Sequence, residues 1–257
     1  MKALVAAILL TAACAHAHKA EVVDLPTRAG ITERMLAIAP EAPKAVVILL
    51  TGGPGIAPIR NDGTLRSDRN FLLRSRMLFV QQGLATVVLD APSDHRQGIA
   101  RSFRESAPHV TDVAAAIAWA RGKWHKPVWL IGTSNGSQST AHVAVALNRD
   151  PRGPDGIVMS SSILVSSGPD PGTPVQEQPL DRLGIPVLAV HHEDDPCPIC
   201  APRLLPDLKA KLPASGKLLT FKGGISEGRW CEPFSHHGYN GIEGDVVAGI
   251  AAFINGH

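Results

Sequence analysis

The chain has 257 residues, of which 44% are hydrophobic and 19% charged, enough apolar material for one large α/β domain or two small ones. The formal net charge of +2 is spread without any Lys/Arg cluster, which argues against nucleic-acid binding. Aromatic residues, at 4%, are too few to build a stacking platform for bases or sugars.

Taken in order, the chain opens on what reads as a targeting segment, residues 1–17. Lys2 precedes an apolar run from Ala3 to Ala13, and Ala15-His16-Ala17 supplies an Ala-x-Ala cleavage site. The run is too short to span a bilayer. The expectation is export, to a bacterial periplasm or out of the cell, with 18–257 forming a single domain. Cys14, after Leu10-Thr11-Ala12-Ala13, leaves lipoprotein processing as the second outcome.

Glu21 to Leu25 and Thr32 to Ile38 read as two early strands, and Ala45 to Leu50 as a strand buried on both faces. That run ends in Thr51-Gly52-Gly53-Pro54-Gly55, a loop that turns sharply or lets a ligand approach the backbone. Phe71 to Gln82 reads as a helix stopped by Gly83, and Ala85 to Leu89 as a second buried strand followed by a polar loop, 90–101. Val110 to Arg121 is an amphipathic helix with Gly122 placed just past its end. Val128 to Ile131, Gly156 to Ser160, Pro186 to His191 and Lys217 to Phe221 read as further strands. Helices are expected at 138–147, 204–211 and 243–254, while residues 163–184 carry no periodicity and read as loop. Buried strands alternating with helices predict a mostly parallel, doubly wound sheet with helices on both faces.

The chemistry centres on Gly132-Thr133-Ser134-Asn135-Gly136, between a strand and a helix. A strand that reverses at once into a helix strains the serine backbone, demands small neighbours two residues away, and lifts the hydroxyl above the sheet. The bland alternative is a helix-entry loop in which Ser134 only caps the helix. A serine nucleophile needs a base, and His237, in Ser235-His236-His237-Gly238-Tyr239, follows the last strand. The base needs a carboxylate, and Asp194 and Asp195 both follow the strand ending at His191. Asp94 is the rival acid. Oxyanion donors are expected from the Asn135 amide and, in the glycine loop, the Gly53 amide.

These motifs resemble the esterase/lipase and dienelactone-hydrolase-like α/β-hydrolases, over roughly residues 30 to 255. The resemblance implies an α/β-hydrolase fold and a serine hydrolase acting on small or medium carboxylic esters, with no cofactor and no metal. It favours Asp195 over Asp194 and His237 over His236. Departures are Thr51 where the family often has histidine, and serine where dienelactone hydrolases carry cysteine. Gly52-Gly53-Pro54-Gly55 is also similar to the loop of proline iminopeptidases, which bear a large cap; here only residues 161–185 are available, too few for a helical lid. A peptidase, a thioesterase or a non-catalytic binding protein on this fold are the competing readings.

If Asp195 and His237 meet, the loops carrying Cys197 and Cys231 are neighbours and a disulfide can join them, with Cys200 as the competing partner for Cys231. The Cys197-x-x-Cys200 spacing also matches redox and zinc motifs, each a weaker reading here.

Overall fold

The computed structural model describes residues 20–257; the expected signal segment and Cys14 lie outside the described residues. Eight strands form one sheet: β1 (Ala20–Arg28), β2 (Ile31–Ile38), β3 (Ala45–Leu50), β4 (Leu84–Leu89), β5 (Val128–Thr133), β6 (Gly156–Ser160), β7 (Val187–His192) and β8 (Lys217–Phe221). Their order is β1-β2-β4-β3-β5-β6-β7-β8. The β1–β2 and β2–β4 pairs are antiparallel, and the remaining pairs are parallel. Strands β3, β4, β5 and β7 are buried at every position, as expected of largely apolar strands covered on both faces.

Alternate side chains along each strand enter two cores. Val46, Ile48, Leu130 and Met159 face α3 (Ala107–Trp124), α4 (Asn135–Ala146) and α5 (Leu205–Lys211). Val47, Leu49, Ile131 and Val190 face α1 (Phe71–Gln81) and α6 (Glu243–Asn255). Each buried Val, Leu or Ile contributes about 1.5–3 kcal/mol relative to exposure, so the two layers hold the sheet rigid beneath its loops. From β3 the chain steps outward to β4 and then returns to the other side of β3 for β5. The loops leaving β3 and β5 therefore part at a topological switch point, where open α/β sheets form their crevice.

Three local expectations differ from the structure. Helix α3 runs through Gly122 to Trp124 and stops at His125, whose left-handed φ of 52° ends the helix. Its start is also earlier, because Ser106 accepts the His109 amide as N-cap and Pro108 suits the first turn. The 90–101 loop is not merely solvated: half-buried Asp90 accepts the Ala57 and Ala91 amides through one oxygen, and a short helix α2 (Arg101–Arg104) follows. Residues 161–186 contain only two single-turn 3-10 segments, Val175–Glu177 and Leu180–Arg182, and form no helical lid. Among the described residues, no helix is long and apolar enough to cross a membrane.

One buried acid gives a stability prediction. Glu33 on β2 is buried with one carboxyl oxygen unpartnered. Burial, reinforced by Asp112 and Asp90, holds its carboxyl well above the ordinary value of 4.5. The unfolded chain then releases this proton first as pH rises, so folding loses stability between pH 4.5 and the folded-state value. Glu33→Gln is expected to match the parent at lower pH and to exceed it above, the gap widening by about 1.4 kcal/mol per pH unit across that window. Urea melts of both proteins at several pH values measure it.

Candidate active site

Ser134 sits directly between β5 and α4 with φ 53° and ψ −124°, a conformation that costs a non-glycine residue about 1–3 kcal/mol. Its side chain makes no capping hydrogen bond to α4, which removes the reading of Ser134 as a helix cap. The flanking glycines answer steric need. A Cβ on Gly132 would run into the Gly136 carbonyl, and one on Gly136 into the Leu50 carbonyl. Gly52 lies against the serine itself: a Cβ there would be 2.9 Å from both the Ser134 Cβ and the Thr133 carbonyl oxygen.

Asp195 and His237 meet. One Asp195 oxygen, Oδ2, lies 2.9 Å from His237 Nδ1, and the other accepts the Cys197 amide at 2.8 Å. Both side chains are nearly inaccessible, 0% exposed for the acid and 6% for the histidine. With both carboxylate oxygens occupied, the imidazole is held in one plane and one tautomer. His237 and Ser134 open onto one cavity of about 270 Å³, walled also by Gly52, Gly53, Phe71, Cys231 and Pro233.

The rivals are placed elsewhere. Asp194 is exposed and turns its backbone carbonyl, not its carboxylate, to His236 Nδ1. Asp94 pairs with Arg28, which holds its carboxyl at about 2. The His236 ring stacks on His192 at 4.2 Å.

The glycine loop supplies donors. Gly53 is at φ 57°, and Gly52 O accepts the Gly55 amide at 3.1 Å, which fixes the peptide carrying the Gly53 N–H. Among the described residues, neither the Gly53 nor the Asn135 amide has a hydrogen-bond acceptor. Two such donors flanking a serine can hold an oxygen that gains negative charge.

Solved structures of similar fold cover most of this chain. It is similar to a dienelactone hydrolase from Anabaena variabilis, with TM-score 0.60, 14% identity, and coverage of 93% of this chain and 97% of that one. It is similar to a lidless α/β serine hydrolase from Xanthomonas campestris, with TM-score 0.58, 14% identity, and coverage of 93% and 94%. It is similar to an esterase from Pyrobaculum calidifontis, with TM-score 0.63, 18% identity, and coverage of 93% and 85%. The fold is that of the α/β-hydrolases. No family model and no curated protein matches the sequence.

Within the α/β-hydrolase fold, the histidine loop depends on residues that sequence reasoning passed over. Ser161 Oγ donates to the His237 carbonyl at 2.7 Å. Tyr239, the only tyrosine in the chain, donates its buried hydroxyl to Val190 O and accepts the Ser161 amide. Arg74 on α1 donates to the Pro233 and Gly238 carbonyls and pairs with Glu243 at the start of α6. Among the described residues, five non-glycine residues have positive φ, and three of them are Ser134 and the two residues that hold the histidine loop, Ser161 and Tyr239.

The disulfide joins Cys197 to Cys231, 34 residues apart, and Cys200 is a buried free thiol. The bridge takes Cys197 out of any zinc set with Cys200 and His237. The ligand atoms of His192, Asp194 and His236 also lie close together, but His192 Nδ1 already accepts the Asp194 amide and its Nε2 meets Gly223 O. Cys231→Ser is expected to destabilise the protein by about 3–4 kcal/mol through loss of a closed loop of this length. Because the bridge ties the Asp195 loop to the loop ahead of His237, ester turnover is expected to fall with it. Denaturant melts and kinetics on the variant, with Cys200→Ser as control, measure both.

Proposed function

We propose that the protein is a serine hydrolase that cleaves small or medium carboxylic esters through an acyl-enzyme. The observation that carries the reading is the buried Asp195–His237 hydrogen bond opening onto the cavity that also holds the strained, uncapped Ser134. In this reading His237 Nε2 takes the Ser134 proton as the hydroxyl attacks the ester carbonyl, while Asp195 holds the ring and stabilises the imidazolium. The Gly53 and Asn135 amides accept the charge of the tetrahedral intermediate. His237 then protonates the departing alcohol, and water activated by the same base releases the acid. Every role is filled by protein groups, with no cofactor or metal required.

The absence of a helical lid from 161–186 supports an open site and soluble, modest-sized esters rather than interfacial substrates. The bridged Cys197–Cys231 pair supports export into an oxidising compartment, with residues 1–17 as the signal peptide; processing at Cys14 as a lipoprotein is the alternative. Treatment with a fluorophosphonate followed by intact-mass analysis tests the site. One adduct mapping to Ser134, together with hydrolysis of short-chain nitrophenyl esters, is the expected result. No adduct on folded, bridged protein would overturn the reading and leave a binding protein on a hydrolase fold.

A further inference from the structure

Arg104, at the end of α2, is 1% exposed, which makes it the largest fully buried side chain among the described residues. Two half-buried arginines elsewhere in the molecule are matched by carboxylates: Arg28 has Asp94 and Asp112, and Arg74 has Glu243. Arg104 has none among the described residues. Its two acceptors are neutral: Nη1 donates to Ser139 Oγ on α4 at 3.0 Å, and Nη2 to Gly53 O at 3.1 Å. Its Nε is buried without any partner. An isolated buried cation costs several kcal/mol, and evolution ordinarily removes it or supplies a counter-charge.

Its position explains what the cost maintains. The Gly53 carbonyl also accepts the Asn135 side-chain amide at 3.0 Å, and Asn135 Oδ1 in turn accepts Arg101 Nε at 3.1 Å. Two arginines one turn apart on α2 thus bracket the contact between the glycine loop and the residue after Ser134. Gly55, at φ 73°, is glycine for the same reason, since a Cβ there would lie 2.8 Å from Arg104 Nη2.

We infer that Arg104 is a positioning residue of the oxyanion site. Its guanidinium clamps the Gly53 carbonyl to the helix that follows Ser134, and the charge it lacks a partner for is the one that develops on the bound oxyanion. Gly52 O held by the Gly55 amide and Gly53 O held by Arg104 fix the peptides on both sides of Gly53, so its N–H keeps a single direction. Burial and the neighbouring Arg101 bring the guanidinium down to about 9, the mark of a charge left uncompensated in the resting protein. The inference rests on the serine-hydrolase reading.

Steady-state ester kinetics on Arg104→Ala, Arg104→Lys and the parent, run beside fluorophosphonate labelling, provide the test. Arg104→Ala is expected to lose about 100-fold in kcat with KM changed by no more than about threefold, because the oxyanion is bound only as the reaction proceeds. Added guanidinium is expected to recover part of that loss by filling the space the truncated side chain leaves and rebuilding both hydrogen bonds, whereas methylammonium is not. Arg104→Lys keeps the charge but reaches one acceptor at a time, with about a tenfold loss expected. An Arg104→Ala protein that folds and keeps parental kcat overturns the inference. So does a loss that tracks a lowered melting temperature and is indifferent to guanidinium. If the alanine variant does not fold, the lysine variant decides, and parental kcat there overturns it. Failure of the parent to label at Ser134 would instead remove the serine-hydrolase reading beneath it.

Discussion

Ser134→Ala is expected to eliminate the fluorophosphonate adduct and to lower ester kcat by about 10⁴-fold or more, the scale seen when a triad nucleophile is removed. Nothing else in the site depends on the hydroxyl. It caps no helix, and the amides of Gly53 and Asn135 stay in place through backbone bonds and Asn135's own side chain. The loss therefore reads chemistry rather than collapse. A companion variant separates the two further. Ser134→Gly removes the same hydroxyl at a residue held at φ 53°, where glycine bears no Cβ penalty. It is expected to be as inactive as the alanine variant yet more stable than the parent, by about 1 kcal/mol in denaturant melts. Strain kept at the reacting residue at the expense of stability is a property of a functional position. Parental turnover in either variant would sink the assignment of the nucleophile.

Asp195→Asn carries the second large expectation. An asparagine of the same shape can turn its amide nitrogen towards His237 Nδ1 and so favour the wrong tautomer, leaving Nε2 protonated and unable to accept from Ser134. A fall in kcat of about 10⁴-fold is expected, with KM little changed. Asp194→Asn is the internal control. Its carboxylate is exposed, and only its backbone carbonyl meets His236, so turnover within about twofold of the parent is expected there. Equal losses in the two variants would place the acid outside this pair.

Much of the scaffold was legible before any coordinates. Ala45 to Leu50 is an unbroken apolar run and Ala85 to Leu89 is apolar apart from Thr86, patterns that fit strands covered on both faces. The elbow was legible because its requirement is local: a strand, a strained serine and a helix within a dozen residues leave room for only glycine at 132 and 136. The assignment of Asp195 and His237 had a different origin. Spacing alone left Asp194, His236 and Asp94 open, and a resemblance to known hydrolases chose among them; in the structure Asp195 and His237 lie 2.9 Å apart.

The residues that the sequence concealed act across long separations. Helix α2 is a single turn, too short to display a period, so Arg101 falls at the end of a polar loop and Arg104 in a stretch without an assigned element. Tyr239 and Ser161 are 78 residues apart and carry no local signature.

By itself, then, the sequence determined what depends on neighbours along the chain: strand and helix periodicity, the serine turn, the glycine loop and the order Ser, Asp, His. Tertiary structure decided which of two aspartates and two histidines meet, that Cys197 rather than Cys200 pairs with Cys231, and that an arginine lies buried against Gly53. Those outcomes turn on burial and on direction in space. Both are set by how the sheet twists and how its loops pack, and the order of residues does not encode either one locally.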